Sequence, residues 1–184
     1  IEGKPANIKT IKDAIRKKVG LVPEERRQEG LVLSMEIKQN ITLAGLRKLC
    51  YGARLPVLSQ AKENLVAQSF FEATEIKATG LNQQVAFLSG GNQQKVVLCK
   101  WLCSDAKILI FDEPTRGIDI GAKFAFYQLI TDLARKGVAI ILISSDLTEV
   151  VGLAHRVLVM KNGKGEGDLI QPEMRSVVEL LLGS

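Results

Sequence analysis

The chain has 184 residues, of which 46% are hydrophobic and 24% are charged, and these values are typical of a globular domain. Its net charge of +5 comes from basic residues interleaved with acids, and only 5% of the residues are aromatic, which argues against nucleic-acid binding. No apolar run approaches the roughly 20 residues that a membrane-spanning helix needs. The three cysteines are odd in number and lack a CxxC pair; Cys99 and Cys103, one helical turn apart, are favoured as buried free thiols over a metal site, which implies a reducing cytoplasm.

The first part of the chain predicts a helix, a short strand and then a longer helical region. Apolar residues recur at helical spacing within residues 9–18, and Gly20 is expected to close that helix. A strand at residues 21–22 stops at Pro23. Residues 37–81 show mainly helical spacing, interrupted by glycines and a proline.

The next helix opens with small residues. The sequence LSGGNQQK occupies residues 88–95, and Ser89, Gly90 and Gly91 precede an apolar helical pattern. Small residues at a helix start leave its unpaired N–H groups accessible, and the helix dipole favours an anion there. The alternative is an ordinary serine N-cap followed by flexible glycines.

A short apolar run at residues 108–111 ends abruptly in Asp112 and Glu113, and Pro114 follows. A run of this kind predicts a strand buried on both faces of a parallel sheet, with the two carboxylates at its carboxyl end, where open α/β sheets bind ligands. Asp112 is suited to hold Mg²⁺, and Glu113 is suited to polarise an attacking water. A solvated acidic turn is the alternative interpretation.

The remaining elements are a helix and strand pair, a short helix, a hairpin and a last helix. Asn162-Gly163 is a strong hairpin signal. The predicted ranges are a helix at 121–136, a strand at 138–144, a helix at 147–153, strands at 155–161 and 165–169, and a helix from Pro172 with Val177, Val178, Leu181 and Leu182 facing inward.

Taken together, these motifs resemble those of an ATP-binding-cassette (ABC) ATPase. LSGGNQQK resembles the signature motif, ILIFDE at residues 108–113 resembles Walker B, and Arg116-Gly117-Ile118-Asp119 resembles the D-loop. Residues 20–43 and 112–123 are similar to the second cassette of bacterial monosaccharide importers of the ribose, galactose and xylose type, in which one polypeptide carries two fused cassettes. The resemblance implies an α/β fold: a partial P-loop NTPase (ABC ATPase) sheet with an inserted α-helical subdomain.

The Walker A loop is missing from these residues. No GxxxxGK followed by Ser or Thr occurs, although such a loop wraps the phosphates with backbone N–H groups and a lysine. We therefore expect one truncated cassette, the part that follows Walker A. Its expected divisions are a core remnant and lid loop at 1–35, a helical subdomain at 36–88, and the signature helix, Walker B core and C-terminal strands and helix at 89–184.

The resemblance also implies roles for individual residues. Glu113 would be the general base, Asp112 a Mg²⁺ ligand, and Asp119 the D-loop aspartate. Cassettes of this family dimerise head to tail, so Ser89, Gly90, Gly91 and Gln93 would contact ATP held by the partner cassette.

Two positions depart from the family pattern. Ser145 stands where most cassettes have the switch histidine, and a hydroxyl cannot carry the positive charge of an imidazole. Glu24 is the counterpart of the lid glutamine near Mg²⁺, although it could equally pair with Arg26 or Arg27. The chain's own site is therefore expected to hydrolyse ATP slowly or to serve structurally. The only histidine, His155, is interpreted as a strand-edge residue.

The function that the resemblance implies is the ATP-binding subunit of a sugar importer, with ATP and Mg²⁺ as cofactors, at the cytoplasmic face of the membrane. Its partners would be the first cassette of the same polypeptide, membrane permease subunits and, indirectly, a sugar-binding protein. Two alternatives remain: a non-transport ABC ATPase acting on DNA or ribosomes, and a non-catalytic interaction module. The isolated chain is expected to be inactive.

Overall fold

The computed structural model describes residues 1–52 and 56–182 of the chain. The chain divides into two compact units, Ile1–Ile141 and Leu142–Ser184, and the boundary falls within a strand. Each unit is described by itself below.

The first unit contains most of the helices and a small parallel sheet. Its described elements are α1 Ile11–Arg16, β1 Val19–Val22, a π-helical turn Arg26–Gly30, α2 Ile37–Thr42, a 3-10 turn Leu43–Gly45, α3 Leu46–Leu49, β2 Cys50–Tyr51, β3 Val57–Leu58, α4 Gln60–Ala73, a 3-10 turn Val85–Phe87, α5 Gly90–Cys103, β4 Ile108–Asp112, α6 Ile120–Arg135 and β5 Ala139–Ile143, the last of which crosses into the second unit. The order agrees with the predicted α/β class, and α5 starts at the predicted glycine pair.

Three strands form a sheet in the order β1-β4-β5. β1 and β4 are parallel, with Val22 opposite Phe111, so the residues that follow these two strands emerge at the same edge of the sheet. This edge carries Pro23 and the segment after it beside Asp112.

One face of the sheet is buried by helices. Gly20 lies against the Trp101 ring of α5, and Phe111 packs edge-on against Phe126 of α6, with ring centroids 5.9 Å apart. Among the described residues, the expectation of a β4 buried on both faces is wrong, because these helices meet the same face. Ile108 and Ile110 on the other face are only half-buried.

The core of the first unit is centred on α5. Val96, Val97, Leu98 and Cys99 are fully buried. Cys99 and Cys103 are free buried thiols, as the sequence predicted, and burial raises the pKa of Cys99 to about 12. A thiol with so high a pKa stays neutral near pH 7, so it packs as a small apolar group.

Two local predictions in this unit are wrong. Gly20 does not close the first helix: α1 ends at Arg16 and Gly20 lies inside β1, where a Cβ would stand 2.9 Å from the Trp101 ring. The predicted helical region also contains an antiparallel pair, β2 with β3, in which Cys50 faces Leu58. These strands are only two residues long, so they carry too little alternation to be recognised locally.

The second unit contains a helix, a hairpin and a final helix: α7 Leu147–Leu153, β6 Arg156–Lys161, β7 Lys164–Ile170 and α8 Met174–Leu182. The predicted hairpin is present, and Asn162 and Gly163 both have positive φ angles of 50° and 76°, as the tight turn requires. Val157, Val159 and Val177 form the core of this unit. Leu182 was predicted to face inward, but it is 76% exposed because it lies on the opposite side of α8 from Val177.

We predict that Gly45→Ala destabilises the first unit by about 1–3 kcal/mol, because a Cβ at this position would stand 2.7 Å from the Cys103 carbonyl oxygen. The measurement is urea unfolding followed by circular dichroism. Gly152→Ala is the matched control: it lies in α7 with nothing within 4 Å of the added Cβ, and it is expected to be neutral or stabilising by up to about 1 kcal/mol. Equal unfolding midpoints for the two variants would contradict the close α5 contact.

Candidate functional site

The two predicted acidic residues lie at the carboxyl end of β4. Asp112 is the last residue of the strand, Glu113 follows it, and both are half-buried. Glu113 has a φ of 42°, a left-handed backbone conformation that is uncommon for a residue other than glycine. Such strain is often found at functional positions, because the surrounding structure must hold it in place. The arrangement therefore agrees with a carboxylate held at the sheet edge.

The D-loop, residues 116–119, continues this turn into α6. Gly117 has a φ of 66°, and the Ile118 amide donates to the Thr115 carbonyl at 3.2 Å. Asp119 is the N-cap of α6, where its Oδ1 accepts from the Ala122 amide at 2.9 Å. Asp119 is thus tied to helix α6, and its catalytic assignment stays a prediction.

The predicted signature motif forms the start of α5. Ser89 is exposed, and its Oγ accepts a hydrogen bond from Asn92 Nδ2 at 2.9 Å, while Asn92 Oδ1 accepts from the Lys77 amide at 2.9 Å. Gly91 is buried, and a Cβ there would stand 2.8 Å from Ala122 Cβ. The glycine therefore lets the starts of α5 and α6 approach each other closely.

Gln93, also assigned to the nucleotide contact, faces inward. It is 2% exposed, and its Nε2 donates to the Val85 carbonyl at 3.0 Å. Its predicted role is not tested by this geometry. Sequence reasoning missed Asn92, which directly follows the glycine pair and holds the Ser89 hydroxyl.

The lid segment, residues 23–30, lies against the D-loop. Glu24 forms an ion pair with Arg116, rather than with Arg26 or Arg27, which the sequence had offered as partners. Arg26 Nη1 donates to the Arg116 carbonyl at 3.0 Å. Both contacts join residues about 90 positions apart, which local sequence patterns cannot reveal. The predicted place of Glu24 near Mg²⁺ stays a prediction.

Ser145 belongs to the second unit, where it is exposed in the loop after β5. Its neighbours fix that loop: Ser144 Oγ donates to Glu149 and accepts from the Asp146 amide at 3.0 Å. Asp146 caps α7 by accepting from the Thr148 and Glu149 amides. Glu149 is only 2% exposed, and its Oε1 has no hydrogen-bond partner among the described residues. Sequence reasoning missed this buried carboxylate.

His155 is exposed and immediately precedes β6, as the strand-edge interpretation expected, and its carbonyl accepts from the Gln171 amide at 2.9 Å. Within residues 1–52 and 56–182, no group of three or more His, Cys, Asp or Glu side chains could hold a metal ion. No helix in the same ranges is long and apolar enough to cross a membrane.

Two solved structures with a similar fold are ATP-binding cassettes. The dimeric post-hydrolysis structure of the cassette MJ0796 bound to ADP and Pi superposes with a TM-score of 0.73 at 19% identity, covering 91% of this chain and 69% of that one. The cassette cbiO1 from Clostridium perfringens, part of the transporter complex cbiONQ, gives a TM-score of 0.75 at 21% identity, covering 97% of this chain and 68% of that one. At these identities the likeness shows the fold, and it confirms the predicted ABC ATPase architecture.

The sequence profile of the ABC transporter family matches residues 1–116, and the chain belongs to this family. The ribose import ATP-binding protein RbsA of Hahella chejuensis is 48% identical over 163 residues, which cover 89% of this chain and 32% of that protein. The xylose import ATP-binding protein XylG of Geobacillus kaustophilus is 46% identical over 173 residues, 94% of this chain and 34% of that protein. The chain thus spans about a third of the length of the curated relatives it matches.

We predict that Ser144→Ala lowers the free energy of unfolding of the second unit by about 1–3 kcal/mol, because it removes the side-chain donor of the buried Glu149 carboxylate. Hydrogen exchange of the β6–β7 hairpin amides measures the loss. Thr148→Ala is the control, with an expected change within about 0.5 kcal/mol since that side chain is exposed. The double variant Ser144→Ala, Glu149→Leu should lose less than Ser144→Ala alone, because the buried charge is also gone. Equal exchange in Ser144→Ala and Thr148→Ala would contradict the role of the Ser144 hydroxyl as the donor to Glu149.

Proposed function

We propose that this chain is the signature-donating part of an ATP-binding cassette that energises monosaccharide import, and that it belongs to the second of two fused cassettes. The relatives named above are sugar import ATP-binding proteins, which supports the substrate class. The observation that carries the proposal is the exposed Ser89 at the start of α5, directly followed by two glycines.

The geometry of the signature suits a phosphate. The Ser89 hydroxyl accepts from Asn92, so its single O–H remains to donate to a phosphate oxygen. The first amides of a 14-residue helix lack intrahelical acceptors, and the helix dipole favours the negative charge of a triphosphate. In a head-to-tail pair, Ser89, Gly90 and Gly91 would close over ATP bound to the partner cassette. ATP would supply the phosphoanhydride bond whose hydrolysis drives sugar import.

The chain's own carboxylates fit the other half of such a site. Asp112 would hold Mg²⁺ and Glu113 would orient the attacking water, with Asp119 nearby in sequence on the D-loop. Ser145 takes the switch position without the charge of histidine. The 184 residues contain no GxxxxGK loop. The half of the site around Asp112 and Glu113 therefore lacks the loop N–H donors that would bind the charge of a triphosphate.

The partners follow from the same proposal. The helical segment of residues 36–81 would receive a membrane permease subunit. A first cassette of the same polypeptide would hold ATP against the signature, and an extracytoplasmic sugar-binding protein would act indirectly. The protein would then work as a peripheral subunit at the cytoplasmic face of the membrane. Capture of permease by the chain, compared with a DNA-shift assay, separates transport from an ABC ATPase that acts on DNA.

We predict that the chain stimulates ATP hydrolysis when it is titrated into a separately purified P-loop-bearing first cassette from a ribose importer, and that Ser89→Arg lowers this stimulation about 100-fold. The reason is that Ser89 would supply a hydrogen bond at the partner's phosphates, and the arginine side chain would also block the approach. Released inorganic phosphate is measured against chain concentration.

The matched control for this assay is Ser69→Arg, which adds the same side chain at an exposed serine of α4. It should stimulate like the unmodified chain. Equal stimulation by both arginine variants, or none by the unmodified chain at any concentration, would refute the signature-donating role.

We predict that the chain alone shows no measurable ATP hydrolysis and at most millimolar affinity for ATP with Mg²⁺, since a few signature contacts cannot replace a phosphate cradle. Isothermal titration calorimetry measures the affinity. The control ligand is ADP, which should bind no more tightly. Micromolar affinity for ATP would contradict this expectation.

A further inference from the structure

We propose that Arg26 is a positioning residue that holds the start of the signature helix and the D-loop in one fixed arrangement before any nucleotide arrives. This inference rests on the proposed function, because it assigns a task to residues of the signature-donating face. It concerns contacts within the first unit only.

A single guanidinium joins three segments that are far apart in the sequence. Nη1 of Arg26 donates to the Arg116 carbonyl at 3.0 Å. Nη2 lies 2.6 Å from the point where a Cβ at Gly90 would stand, and 3.8 Å from the corresponding point at Gly117. The guanidinium therefore occupies the space that a side chain at position 90 would fill.

The segment that carries Arg26 is anchored at both ends. On one side, Val22 is paired with Phe111 in the sheet. On the other side, Lys100 Nζ donates to the Gly30 carbonyl at 2.6 Å, and a Cβ at Gly30 would meet Val97 at 2.9 Å. The backbone on both sides of Arg26 is therefore held by β4 and α5. Because the segment is held in this way, the Arg26 side chain can fix the positions of the groups that it contacts.

Burial gives the arginine contact more weight than the ion pair beside it. The Arg26 side chain is half-buried, its Nε is buried without a hydrogen-bond partner among the described residues, and burial lowers the pKa of this guanidinium. A charge removed from water must be compensated by hydrogen bonds, and the Arg116 carbonyl supplies a charge-assisted one. Glu24 and Arg116 are 32% and 65% exposed, and a pair so open to solvent contributes little.

Contact at this point sets the shape of the proposed binding face. The same guanidinium fixes the backbone of the D-loop and lies on the first turn of α5, next to Ser89. With Arg26 in place, Ser89 and the first amides of α5 are held ready for a phosphate. Without Arg26, the D-loop and the start of α5 would become ordered only on contact with the partner cassette, and this ordering would lower the binding affinity.

The test is hydrogen–deuterium exchange on the 184-residue chain with Arg26→Gln, Arg26→Lys and the neighbouring control Arg27→Gln, whose arginine is exposed. Arg26→Gln should speed exchange about tenfold at residues 88–92 and 114–119, with no change in α4 or in the β6–β7 hairpin. Arg26→Lys keeps the charge and should give a smaller increase, since an ammonium cannot present two donors in a planar fork. Arg27→Gln should match the unmodified chain.

A second measurement separates positioning from general stability. Gly90→Ala should produce the same local exchange as Arg26→Gln, because it expels the guanidinium without removing it, and the double variant should add little to either single change. Exchange that is unchanged at residues 88–92 and 114–119 in Arg26→Gln, or raised equally throughout the chain, would overturn the proposal.

The same variants in the stimulation assay test the consequence for function. Arg26→Gln should raise the chain concentration for half-maximal stimulation about fivefold and leave the maximal rate unchanged, because it affects ordering before contact rather than the chemistry. A lower maximal rate with an unchanged half-maximal concentration would count against preordering. Because hydrogen exchange requires no partner, an absence of stimulation in the unmodified chain would overturn the proposed function and leave the exchange result to decide the role of Arg26.

Discussion

The close approach of the start of α5 to its surroundings is the constraint on which the candidate site depends. A side chain at Gly91 would collide with Ala122 of α6, and one at Gly90 would collide with Arg26 of the lid segment and press on the Gly117 carbonyl. Glycines in such a motif usually leave space for a ligand. Here they first make room for the protein itself, because three segments meet the helix start within van der Waals distance.

This packing connects the two motifs that the sequence presents separately. The turn after β4 runs through Glu113, which has a left-handed backbone, into the D-loop that lies against the first turn of α5. The acidic strand end and the glycine pair are thus parts of one packed assembly. The D-loop and the helix start that carries Ser89 therefore lie within contact distance of each other.

In the second unit, hydrogen bonds between polar side chains and the backbone hold the loop between β5 and α7. Ser144 bonds the buried Glu149, and Asp146 caps α7, so the loop bearing Ser145 is held by its neighbours on both sides.

The sequence by itself determined the element types, most of their order, the glycine-led helix, the strand ending in Asp112, the hairpin at Asn162 and the α/β class, because these are written in local periodicity and turn chemistry. Tertiary structure alone decided that Gly20 lies in a strand under Trp101, that β4 is buried on one face, that Glu24 pairs with Arg116, and that Gln93 faces inward. These outcomes depend on contacts between residues tens of positions apart. Local sequence patterns indicate which residues can be buried or form ion pairs. Which residues contact each other is decided only when the chain folds.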